Sequence, residues 1–177
     1  MNIKKTANLL LNFAIKRLAE IFGILISLTG AMLFLALVTY SPNDPNFIFP
    51  ENTKIENLMG FQGSFISDLF FQSVGLIAYL IPITLIITGI NILRSKDFFL
   101  FIENNFFTIL YLIFGALFFE HYYSDTYSLY INGNSGFVGK YLNQSFLGPL
   151  ISINESIFFY ILILVTIIFF LISINFN

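Results

Sequence analysis

Three neighbouring residues, Glu120, His121 and Asp125, are the closest approach in this sequence to a catalytic or metal-binding group. Two carboxylates beside an imidazole could bind a metal ion or transfer a proton. His121 is, however, the only histidine, and the chain contains no cysteine. These counts exclude a cluster of histidine or cysteine ligands and thiol catalysis. Solvation at a membrane interface explains the three residues adequately, so we expect no catalytic residue, no metal ion and no cofactor.

A second possible site is the dipeptide Gly139-Lys140, which resembles the end of a phosphate-binding loop. The pattern G-x-x-x-x-G-K-[ST] would require glycine where Asn134 stands and serine or threonine where Tyr141 stands. The segment therefore does not encode a nucleotide-binding loop. The net charge of −2, with scattered lysines and arginines, also predicts no direct contact with nucleic acid.

Apolar runs dominate the rest of the chain, which is 57% hydrophobic and 10% charged. A membrane-spanning helix needs about 20 apolar residues. Four uncharged runs approach or exceed this length, at about 21–40, 69–93, 106–123 and 157–174. We therefore predict an integral membrane protein with a cytoplasmic, basic, amphipathic segment at 1–20 and a four-span membrane domain at 21–177.

Positive charges predict the orientation of these spans. Six basic residues precede the first span or lie between the second and third, whereas the two longer loops hold only Lys54 and Lys140. The six are Lys4, Lys5, Lys16, Arg17, Arg94 and Lys96. By the positive-inside rule both termini are cytoplasmic. The segment before the first span could lie on the membrane surface as an amphipathic helix, or could extend the first span, and the pattern favours neither.

The second and third runs carry features that affect helix geometry. Gly75, Pro82 and Gly89 recur every seven residues, which predicts one side suited to close helix packing and a kink near Pro82. An ionised Glu103 inside the membrane would cost several kcal/mol. We therefore expect the third span to begin at Phe106, with residues 98–105 along the inner interface.

A short internal repeat organises the chain. Residues 60–66 and 136–142 both read G-F-x-G-x-aromatic-aliphatic, and one copy precedes the second span while the other precedes the fourth. The repeat predicts an all-α fold of four transmembrane helices in two parallel two-helix repeats. Helical spacing of apolar residues after each glycine pair predicts short interfacial helices on the outer face. A turn at Ser41-Pro42-Asn43-Asp44-Pro45 ends the first span.

Several motifs together resemble the N-terminal four-span membrane domain of the FtsK/SpoIIIE DNA translocases. They are Tyr40-Ser41-Pro42-Asn43-Asp44-Pro45-Asn46-Phe47, Asn57-Leu58-Met59-Gly60 through Gly63, Ser67-Asp68-Leu69-Phe70, Gly75-Leu76-Ile77-Ala78-Tyr79-Leu80-Ile81-Pro82 and Gly136-Phe137-Val138-Gly139. The resemblance covers about residues 15 to 175. Ser135 stands where the family often has a further glycine.

The resemblance implies an anchor for a hexameric DNA pump at the division septum of a bacterial inner membrane. It also implies a homo-oligomer that contacts lipids and division membrane proteins. Because the chain ends at Asn177 without a phosphate loop, we expect a fragment, a split gene product or a stand-alone anchor that cannot hydrolyse ATP. A small transporter or channel subunit is the alternative, although few polar residues lie within the spans: Ser27, Thr29, Thr84, Thr88 and Thr166.

Overall fold

The computed structural model describes residues 3–45, 54–124 and 132–175, and all of the regular secondary structure in these ranges is helical. Four helices or helix pairs are long and apolar enough to cross a membrane. The predicted all-α membrane fold is thereby confirmed. The α-helices are α1 (Ile3–Val38), α2 (Gly60–Val74), α3 (Leu80–Ser95), α4 (Phe99–Tyr123), α5 (Gly136–Gln144), α6 (Leu147–Ser152) and α7 (Glu155–Ser173).

The four long helices form two antiparallel pairs. α1 packs mainly on α3, α4 packs mainly on α7, and a contact between α3 and α4 joins the pairs. Glycines allow the backbones of α1 and α3 to come into direct contact. A Cβ added at Gly89 would lie 2.5 Å from the carbonyl oxygen of Gly23. Small residues permit this approach, and it increases van der Waals contact where no hydrophobic effect acts between helices.

The second apolar run is broken at Gly75 and not at Pro82. α2 ends where Gly75 adopts φ 71° and ψ −147°, and a 3₁₀ turn (Gly75–Tyr79) leads into α3. Pro82 lies in the first turn of α3, where backbone amides have no intrahelical acceptor, so its missing N–H costs little. The predicted kink at Pro82 is therefore wrong, and Gly75 does not share a helix side with Gly89.

The span ends that the sequence predicts to be cytoplasmic also differ from the prediction. α1 continues from Ile3 into the membrane without interruption, which favours the extended first span over a separate surface helix. α4 begins at Phe99, so residues 99–105 form its first two turns and are continuous with the third span. At 1.5 Å per residue this 25-residue helix exceeds a 30 Å core by about five residues. Glu103 is exposed on the second turn of α4.

Candidate functional site

Short helices and loops form a layer at the end of the bundle where α1 and α4 end and α7 begins. We call this layer the outer platform, after the side on which the sequence predicts it; it consists of α2, α5, α6 and the loop residues 41–45, 54–59 and 132–135. Ten of the predicted motif residues lie in it or at its edge: Ser41, Pro42, Asp44, Pro45, Gly60, Gly63, Asp68, Gly75, Gly136 and Gly139. Tyr79 and Pro82 lie just beyond, in the 3₁₀ turn and α3.

Asp44 holds the first outer loop in place. Its carboxylate is 2% exposed and accepts backbone N–H bonds from Glu56, at 2.8 Å, and from Asn57, at 2.9 Å. The buried Asn57 side chain in turn donates to the carbonyl oxygen of Ala36, near the end of α1, at 2.8 Å. The turn at Ser41 to Pro45 therefore does more than stop a helix, because its carboxylate joins both ends of the loop.

The two glycine motifs adopt the same local geometry. Gly60 and Gly136 are the first residues of α2 and α5, with φ of 66° and 64°. A Cβ added at Gly63 would lie 2.3 Å from the Cβ of Met59, and one added at Gly139 would lie 2.3 Å from the Cβ of Ser135. Met59 and Ser135 immediately precede the equivalent glycines, so the sequence repeat corresponds to a repeated structure.

Backbone contacts join the two halves of the platform, the half that precedes α3 in the chain and the half that follows α4. A Cβ added at Gly75 would lie 2.0 Å from the carbonyl oxygen of Asn134, and one added at Gly136 would lie 2.5 Å from the carbonyl carbon of Ser73. Next to this contact, the Asn132 backbone N–H donates to the Gln72 side chain at 3.1 Å. Only glycine allows such close approach at both positions.

Asp68 and Tyr79 connect the platform to the end of α1. The Tyr40 hydroxyl donates to the Asp68 carboxylate at 2.8 Å, and the Tyr79 hydroxyl donates to the Leu37 carbonyl oxygen at 3.4 Å. The buried Phe71 ring lies between the two tyrosine rings, with centroid distances of 5.0 and 5.2 Å. These residues therefore position α2 across the end of α1.

Glu120 and His121 make separate structural contacts. The Ser135 hydroxyl donates to the Glu120 carboxylate at 2.5 Å, while His121 Nδ1 lies 3.0 Å from Asn143 Oδ1. Asp125 lies outside the described residues, as do Asn46 and Phe47. Within the described ranges, no three histidine, cysteine or acidic side chains are grouped closely enough to hold a metal ion.

A buried polar seam between α3, α4 and α7 was not predicted from the sequence. The Thr84 hydroxyl lies 3.2 Å from the Tyr111 hydroxyl and 3.3 Å from the Ser173 hydroxyl. The fully buried Asn104 amide donates to the Thr88 hydroxyl at 2.8 Å. Helical spacing could have revealed the seam, because polar residues recur at i, i+4 and i+7 on two helices: Thr84, Thr88 and Asn91 on α3, and Asn104, Thr108 and Tyr111 on α4.

Comparison with known proteins gives a family match over most of the chain. Residues 15–176 match the family model described as the 4TM region of DNA translocase FtsK/SpoIIIE. The DNA translocase FtsK of Vibrio vulnificus is 39% identical over 83 residues, which are 46% of this chain and 8% of the relative. The corresponding protein of Caulobacter vibrioides is 33% identical over 79 residues, 45% of this chain and 10% of the relative.

The match to curated relatives is therefore confined to a small part of their length. The DNA translocase FtsK of Rickettsia bellii shows the same proportions, with 30% identity over 44% of this chain and 10% of the relative. No solved structure matches the chain.

Proposed function

Because the chain belongs to the family of the four-transmembrane region of the DNA translocases FtsK and SpoIIIE, we propose that it anchors and assembles a cell-division DNA translocase in the membrane. The family match over residues 15–176 is the observation that supports this proposal. It includes three of the four candidate spans, all but the first seven residues of the other span, and both glycine motifs. In this role the chain positions a motor for chromosome segregation and does not itself hydrolyse ATP or contact DNA.

We place the chain in the bacterial inner membrane, concentrated at the septum, with both termini in the cytoplasm. The basic residues at the inner ends of the spans support this orientation. One such end is held by Glu20, whose carboxylate lies 2.5 Å from the Arg17 guanidinium and 2.9 Å from the Lys96 ammonium group. The pair with Lys96 connects α1 to the link between α3 and α4.

The outer platform is the part that we propose for assembly. Its two halves are interlocked through backbone contacts at Gly75 and Gly136, so it presents a defined surface. We propose that copies of this chain associate as a homo-oligomer, a hexamer if the translocase is hexameric, and contact other division membrane proteins through this surface.

Localisation of a fluorescent fusion tests the proposal. We expect Gly63→Val and Gly139→Val to remain inserted in the membrane but to lose septal localisation. At both positions the added side chain would overlap neighbouring atoms at 2.3 Å. Gly133→Ala is the control for altering an outer glycine without overlap: its φ of 71° adds backbone strain, but its Cβ would meet only one atom, at 3.9 Å. Septal localisation of both valine variants at the normal level would contradict the proposed role of the motifs.

The coding DNA next to this chain provides an independent test. An in-frame or adjacent product with G-x-x-x-x-G-K-[ST] would supply the motor that an anchor requires. A complete locus without such a product would instead favour an independent membrane scaffold.

A further inference from the structure

Tyr122, Phe159 and Tyr160 surround a depression at the outer end of the α4/α7 pair, together with Glu155 and Ser156. Its volume is about 260 Å³. The Tyr122 and Phe159 rings meet at 87° with centroids 5.1 Å apart, and the Phe159 and Tyr160 rings meet at 86° with centroids 5.4 Å apart. The three rings thus pack edge to face beside the depression, and we call the depression with its rings the aromatic box.

The site combines these rings with a carboxylate. The Tyr122 hydroxyl donates to the backbone carbonyl oxygen of Glu155 at 2.7 Å, which fixes the first turn of α7 beside the Tyr122 ring. The Glu155 side chain is exposed and forms no ion pair with any residue in the described ranges. Aromatic faces and a carboxylate both attract an ammonium group, and neither attracts an anion.

An apolar stripe continues from the box along α7. Tyr160, Leu164 and Ile168 recur every four residues and are exposed by 71%, 59% and 43%. The stripe runs from the end of the span towards its middle, as the acyl chain of a lipid in one leaflet does. A headgroup in the box would therefore place its acyl chains against this stripe.

We propose that this box binds the ammonium headgroup of a phospholipid, phosphatidylethanolamine being the simplest example. The ammonium group contacts the ring faces and the Glu155 carboxylate, while an acyl chain lies along the stripe. The lipid thereby links the outer end of α4 to that of α7. The inference concerns lipid recognition alone and does not depend on a role in cell division.

Native mass spectrometry of the full chain in detergent micelles tests the proposal, with lipids added at matched concentrations. We expect phosphatidylethanolamine to bind about fivefold more tightly than phosphatidylglycerol, a difference of about 1 kcal/mol. Glu155→Gln and Tyr160→Leu should each remove most of this preference. Glu56→Gln and Tyr141→Leu change an exposed carboxylate and an exposed tyrosine elsewhere on the platform, and should leave it intact.

Equal binding of the two lipids would overturn the proposal, as would a preference that both box variants retain. Circular dichroism shows whether each variant keeps its helix content. Because two separate box variants are used, the test can still be read if one of them misfolds. Soluble glycerophosphoethanolamine or a short lysine peptide provides a further arm. Competition by either compound at the lipid's own concentration would overturn the lipid assignment, because the stripe on α7 would then contribute nothing.

Discussion

Gly136→Ala should destabilise the chain through two separate terms. The first is backbone strain, since φ 64° and ψ −170° form a conformation that is almost confined to glycine and costs other residues about 1–3 kcal/mol. The second is overlap, since the new Cβ would lie 2.5 Å from backbone atoms of Ser73 and Val74. Backbone atoms cannot rotate away as a side chain can, so overpacking adds about 1–3 kcal/mol.

Gly60→Ala separates these two terms. Gly60 is the equivalent residue of the first half and has a φ of 66°, but no atom lies within 4 Å of an added Cβ. It therefore incurs strain without overlap. The free energy of unfolding should fall by about 1–3 kcal/mol more in Gly136→Ala than in Gly60→Ala.

The measurement is reversible unfolding of both variants in mixed micelles, followed by circular dichroism as a denaturing detergent is added. Equal losses of unfolding free energy would refute the reasoning, because they would show that the contact between the platform halves contributes nothing. A larger loss of unfolding free energy in Gly60→Ala than in Gly136→Ala would also refute the reasoning.

Three further changes test other contacts. Asp44→Ala leaves two backbone N–H groups of the outer loop without their acceptor, and should lower the free energy of unfolding by about 1–3 kcal/mol in the same assay. Asn104→Leu removes the hydrogen bond to Thr88 between α4 and α3. The free energy of unfolding should fall by only about 0.6 kcal/mol, because such interhelical bonds in membranes are weak on average. A fall above about 2 kcal/mol would show that the seam contributes more than this average. Gly89→Ala should separate α1 from α3, because its Cβ would lie 2.5 Å from the Gly23 carbonyl oxygen, and should slow formation of a disulfide engineered between these helices.

Hydropathy and the repeat predict much of this fold for physical reasons. Backbone groups in a bilayer core must be hydrogen-bonded within the protein, and a continuous apolar run of about 20 residues achieves this as a helix. The repeated glycines predict equivalent turns, because the same residue pattern allows the same close packing. Gly60 and Gly136 accordingly begin their helices with nearly the same φ.

The break at Gly75 could not be predicted from local sequence. Proline is the stronger local signal, and Pro82 lies near the middle of the apolar run. What decides the outcome is a contact with Asn134, which belongs to the other half of the chain. The buried seam was missed for a related reason: single threonines and asparagines in a span look isolated until the helices that carry them are known to face each other.

The outer platform and the membrane bundle differ in how strictly they constrain sequence. Most helix contacts within the bundle are made by aliphatic and aromatic side chains, and a volume-conserving exchange among such residues usually costs less than about 1.5 kcal/mol. In the platform, Gly75 and Gly136 approach backbone atoms, and Asp44 and Asn57 satisfy backbone groups. No other side chain can replace these contacts without strain or an unpaired polar group. The outer platform should therefore tolerate fewer substitutions than the membrane bundle.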